Sequence, residues 1–181
     1  MKAVEYYKSS YKLEASAVIA YRIANCYNEY GDYSEALKYT DLAIQNDSTD
    51  EDYVLLHSRI NDNMGNAREA IWDMDKYISI QPEDYFGYYH RGWIKDHTGD
   101  YEGAIEDYST SLMLQPEFNY TYLNRGVLYR LLGKHDFAKA DFEKSVEQDS
   151  LMEESQTPYA LFYLGRKQDA IDFMDNLLST R

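Results

Sequence analysis

The sequence predicts an all-α chain built as a stack of antiparallel helix pairs. Three observations predict it. Glycines recur at Gly31, Gly65, Gly99 and Gly133, each 34 residues after the last. An alanine stands five residues after each (Ala36, Ala70, Ala104, Ala138), and a small residue stands seven before (Ala24, Ser58, Gly92, Gly126). A helix stop follows seventeen residues on, at Ser48, Pro82, Pro116 and Ser150. A constant period of this length is the signature of a repeat array.

Each slot has a physical task. The small residue lets two helices approach closely. The glycine closes the first helix with a sharp turn that needs a positive φ. The alanine sits where the second helix crosses the first. Proline or serine ends the second helix. The spacing therefore predicts helix pairs over 17–30 with 33–46, 51–64 with 67–80, 85–98 with 101–114, and 119–132 with 135–148.

With these slots in this order, and with stretches such as "YNEYGDYSEALKYTDLAI" and "HTGDYEGAIEDYSTSL", the chain resembles the tetratricopeptide repeat family over nearly its whole length. The resemblance implies a right-handed α-α superhelical solenoid and an interaction role. It says little about the ligand, because the signature positions are packing positions.

The expected organisation is one solenoid domain over 1–181, with full repeats at 17–50, 51–84, 85–118 and 119–150. The ends depart from the period. Residues 1–16 read as the second helix of a repeat whose first helix is missing, with Ala3, Tyr7 and Leu13 filling its slots. The chain is accordingly expected to be an excerpt of a longer protein, the alternative being that this helix is a deliberate cap. An apolar patch is expected near residues 3–13. Residues 151–181 read as a shortened terminal repeat and cap. There Gly165 follows Gly133 by 32 residues, Thr157 and Pro158 start a short helix after a loop at "LMEESQ", and a last helix runs from about 167 to 178. The carboxylates of Asp169, Asp172 and Asp175, with Asn176, are expected to give that helix a polar outer face.

Composition narrows the function. The chain has 181 residues and a formal charge of −14. Such a surface repels phosphate, so nucleic acid and anionic membranes are not expected partners. No run of about 18 apolar residues is present, and the first residues lack a signal core. A soluble chain is expected, the cytoplasm being favoured and the compartment left open. The single cysteine, Cys26, has no internal disulfide partner and reads as a buried thiol.

The resemblance implies that the first helices of successive pairs line a concave surface. Its inward slots here hold Tyr21, Arg22 and Asn25, then Arg59, then Tyr89, His90 and Trp93, then Asn124. Across all the inward slots, Arg22, Arg59 and Arg130 oppose Glu29, Asp52, Asp62 and Asp96, so this surface is relatively spared of acid. Aromatic residues and arginine carry binding energy at protein interfaces. These residues are candidates for gripping a peptide or partner protein; the bland alternative is that the rings only cover neighbouring helices. The family's clamp for chaperone C-termini needs Lys, Asn, Asn, Lys and Arg at slots that hold Tyr21, Asn25, Leu56, Phe86 and His90 here. Only Asn25 matches, so that assignment is rejected.

Catalysis has little support, and no cofactor or metal is expected. His57 stands at a slot where the family has a core leucine, and His135 at the tyrosine slot after a turn. His90 and His97 are seven residues apart, about 10 Å along a helix, too far for joint chelation. Arg91 and Arg125 also stand at a leucine slot. A buried guanidinium there needs a partner, and Asp73, Asp107 and Asp141 recur at one slot of the second helix. They read as ion pairs between helices. The expected function is a non-enzymatic module that binds a peptide segment in its groove. The alternatives are a self-assembly module associating through its N-terminal end, or the regulatory region of a larger enzyme or sensor.

Overall fold

The structure, a computed structural model, describes residues 2–148 and 157–179, without the side chains of Leu13 and residues 176–179. Among the described residues there are eleven helices and no strand. They are α1 (Lys2–Leu13), α2 (Ala17–Glu29), α3 (Tyr33–Asn46), α4 (Glu51–Asn63), α5 (Ala67–Ile80), α6 (Tyr85–Thr98), α7 (Tyr101–Leu114), α8 (Asn119–Leu131), α9 (His135–Gln148), α10 (Thr157–Tyr163) and α11 (Lys167–Ser179). The predicted helix bounds hold to about one residue. The "LMEESQ" loop and the stop at Ser150 lie outside the described residues.

The turns follow from the glycines. Gly31, Gly65, Gly99, Gly133 and Gly165 all have φ between 73° and 86°, a region closed to most L-residues. At the first of them the amide of Gly31 donates to Asn28 O and that of Asp32 to Tyr27 O, which satisfies two carbonyls at the end of α2. The next residue then opens the following helix: Asp32 caps α3 by accepting from the Glu35 amide, and Asp100 caps α7 by accepting from that of Gly103.

Two compact units are present, Met1–Thr98 and Gly99–Arg181. In the first, α2 pairs with α3 and α4 with α5, while α1 packs on α2, α4 on α3 and α6 on α5. In the second, α8 pairs with α9 and α10 with α11, while α8 also packs on α7 and α10 on α9. The alanine slot is buried throughout: Ala36, Ala70 and Ala104 are fully covered and Ala138 nearly so. The small slot meets the second helix. Ser58 Oγ donates to Ala70 O at 3.0 Å, and a Cβ on Gly126 would lie 2.7 Å from a ring carbon of Phe142.

The ends differ from the sequence expectations. On α1, Val4 is buried and Tyr11 meets the Tyr39 ring edge-on at 6.3 Å, so the exposed apolar group there is chiefly Tyr6. Leu13's side chain lies outside the described residues. At the other end, the expected polar face is interrupted. Tyr159 and Phe162 of α10, with Ile171 and Met174 of α11, are each about half exposed and line an apolar cleft of about 740 Å³. The Asn176 side chain is outside the described residues. Cys26 is half-buried rather than buried.

Candidate functional site

The candidate residues of the first unit fall on α2, α4 and α6. The densest group is a stripe on α6. Helical spacing puts Phe86, Tyr89, His90, Trp93 and His97 on one side. The His90 ring stacks on Phe86 at 5.9 Å with planes 8° apart, and Tyr89 lies 6.2 Å from Phe86. Trp93 is 37 % exposed, with its ring 4.2 Å from that of His97. His97 Nδ1 is also 2.9 Å from the Trp93 carbonyl, which holds the two rings together.

Arg59 of α4 is exposed and acts on the same stripe. Burial pushes the His90 pKa below the usual histidine value. The Arg59 charge pushes the same way, and Asp62 opposes both. His90 is therefore a neutral ring at neutral pH, held against Met74 Sδ at 3.2 Å. This part of the face offers aromatic surface with Arg59 and Asp62 beside it.

On α2 the arrangement is looser. Tyr21 is half-buried and tilted against Tyr53 at 5.1 Å, so part of its surface serves packing. Arg22 is exposed, with its guanidinium over Tyr7 at 5.9 Å. Asn25 is half-buried one turn further on. Asn124 is half-buried on α8, in the second unit. Among the described residues no cluster of three or more His, Cys, Asp or Glu is placed to hold a metal ion, and no helix is long and apolar enough to cross a membrane.

The family model "Tetratricopeptide repeat" matches residues 87–118 and 120–150. Those residues are tetratricopeptide repeats. Solved structures agree on the fold. A crystal structure of MamA is similar with a TM-score of 0.77 at 22% identity, covering 81% of this chain and 86% of that one. A tetratricopeptide repeat protein from Parabacteroides merdae gives 0.77 at 17% identity, covering 98% and 72%. YrrB, described as a TPR protein with an unusual peptide-binding site, gives 0.69 at 16% identity, covering 96% and 91%. No curated protein matches the chain.

The tetratricopeptide period also organises a set of polar links that the sequence reading resolved only in part. His57, Arg91 and Arg125 occupy one slot, 34 residues apart. Arg125 forms a two-pronged ion pair with Asp141, sixteen residues ahead, at 2.8 Å for both bonds, and donates to Ser109 Oγ, sixteen behind, at 2.9 Å. His57 has the same two reaches, to Asp73 ahead at 2.7 Å and to Asp41 behind at 3.3 Å. Arg91 meets Asp75, sixteen behind, at 2.6 Å. The expected pairing of Arg125 with one of the recurrent aspartates is present. Asp73 is held by His57 and Asn61, and the contacts of Arg91 include Asp75, an aspartate outside the expected set. The signal in the sequence is arithmetic: His57 lies 34 residues before Arg91 and shares the register of the two arginines.

Proposed function

We propose that this chain is a non-enzymatic interaction module whose first helices bind a peptide segment of a partner protein. The observation that carries the reading is the α6 stripe: Tyr89, His90 and Trp93 on one face, with Arg59 beside them and Trp93 partly open to solvent. Rigid aromatic groups next to an arginine are the usual composition of an interface hot spot. Tyr21, Arg22 and Asn25 would extend the contact along α2. Asn124 is assigned to the same function by its slot in the period. The period itself runs unbroken through the boundary between the two units, which supports reading 1–181 as one repeat domain. A peptide-binding relative of the same fold, YrrB, is in keeping with this use of it.

The test is capture of partners with the intact chain, peptide mapping of what is captured, and titration of the mapped peptide. Trp93→Ala should weaken binding by roughly tenfold or more while leaving helicity unchanged. Binding that is indifferent to Trp93, Tyr89 and Arg59 substitutions together would overturn the assignment.

A second reading, self-association, is favoured by Tyr6, which is 69 % exposed on α1. Sedimentation velocity over a range of concentrations decides it: a mass that rises with concentration and falls back in Tyr6→Lys supports self-association through α1.

A further inference from the structure

The repeats serve as controls for one another, and one set of slots breaks the pattern. The first residue of the second helix is Tyr33, Ala67 and Tyr101 in three repeats but His135 in the fourth. Four residues on, Leu37, Ile71 and Ile105 give way to Lys139. In the first two of those repeats these side chains pack against the core. His135 and Lys139 are instead exposed. A third slot, near the end of the first helix, holds Asn28, Asp62 and Asp96 and then Arg130. Packing explains none of the three replacements, and all three are toward basic residues in a chain with a net charge of −14.

The fold brings the three together. Arg130, His135 and Lys139 line one cleft of about 300 Å³ at the start of α9. Its apolar wall is built by Tyr163 and Leu164, with the Tyr163 ring backed by the buried Phe142 ring at 4.9 Å and planes 16° apart. The Arg130 guanidinium lies over the Tyr163 ring at 4.6 Å. A contact with a ring face leaves most of the five guanidinium donors without an acceptor, and among the described residues no carboxylate lies within ion-pair distance of Arg130. Lys139 reaches only Glu143 at 3.8 Å, an exposed pair on its own helix that contributes little. One carboxylate, Asp136, also lines the cleft and is paired with none of the three. The amino end of the fourteen-residue α9 adds partial positive charge at the same place.

We infer that this cleft is a binding site for an oxyanion, a carboxylate or a phosphate, carried on an aromatic or apolar body. The oxyanion meets Arg130 and Lys139, His135 supplies a further ring nitrogen, and the body lies beside Tyr163 and Leu164. This site belongs to the second unit and does not depend on the peptide face of α6.

The experiment is a nitrogen-15 NMR titration of the full chain with four probes: acetate, inorganic phosphate, phenylacetate and phenyl phosphate. Saturable shifts are expected at the amides of residues 135–139, with the phenyl-bearing probes binding about tenfold tighter than the bare anions because of the apolar wall. Whichever of phenylacetate and phenyl phosphate binds tighter identifies the oxyanion. Lys139→Ile and Arg130→Asp install residues that this chain already uses at the same slots, so the fold is expected to tolerate them, and circular dichroism checks this. Each should weaken binding by about tenfold. Shifts that never saturate, that are spread evenly over the basic residues, or that persist unchanged in the double variant would overturn the proposal.

Discussion

The imidazole of His57 sits 2.7 Å from the carboxylate of Asp73, a side chain only 2% exposed. Its other nitrogen faces Asp41 at 3.3 Å. A neutral imidazole has one N–H and cannot donate to both, so the pairing calls for the imidazolium. Burial alone would lower the pKa of His57, but Asp73 and Asp41 together outweigh it and raise the value. A raised folded-state pKa contributes stability that is complete below the unfolded value, near 6.5, and is lost as pH rises through the folded value. Stability should therefore fall, through this group, as pH rises past the unfolded value. His90, with its pKa lowered, has the opposite sign and loses its contribution as pH falls. The measurement is urea unfolding across pH, taken as the difference between the natural chain and His57→Gln. That difference should shrink as pH rises, and His57→Arg should flatten it.

The Arg125–Asp141 pair should behave as a buried ion pair. Asp141 is 5% exposed, and both its oxygens are occupied by the guanidinium. Arg125→Leu strands that carboxylate and should cost about 3–5 kcal/mol in chemical denaturation. Making Asp141 leucine in the same chain should recover most of the loss. A double variant as unstable as the single one would mean that the guanidinium acts through its neighbours Tyr122 and Tyr129 instead.

Two glycine substitutions should fail for different reasons. Gly133→Ala has free space around the new Cβ but forces a residue to φ 73°, at a cost of about 1–2 kcal/mol. Gly126→Ala keeps helical geometry but puts its Cβ 2.7 Å from Phe142, an overpacking cost of about 1–3 kcal/mol. Phe142→Leu should partly relieve the second and leave the first unchanged. Thermal melts of the three single and two double variants read this out.

A core substitution gives the reference scale. Met74 is fully buried in a cluster with Val54, Ala70, Tyr77 and Ile94. Met74→Ala should cost about 2–5 kcal/mol. It should also free the His90 ring from its sulfur contact, so the His90 resonance should shift in the same variant.

The architecture was legible because each slot of the period states a local need. Gly31 had to be glycine for its φ, and Ala36 had to be small to be fully covered. The recurrent aspartates were legible too, and Arg125 found one of them. What was hidden lay in pairings between different slots. The reach from His57 to Asp41 and Asp73 depends on how a first helix is flanked by two second helices, and a list of positions does not show that. The interruption of the polar end by Ile171 and Met174 was hidden for a related reason. Both are ordinary apolar positions of an amphipathic helix, and only the packing tells which of them a neighbour covers. Tyr21 shows the same limit within the candidate face, since the ring that looked available for a ligand also leans on Tyr53.

The sixteen-residue links have a consequence for how damage and order travel. Each joins a helix to one that is close to it along the chain, and the helices of each unit pack chiefly on their sequence neighbours. Little chain entropy is lost in bringing such partners together, so the molecule can begin to organise at any hairpin and grow outward. The same locality makes loss of order graded. Hydrogen exchange should find the terminal helices opening at lower free energy than α4, α5 and α8, and a variant in one link should loosen its own hairpin and the next while distant amides keep their protection.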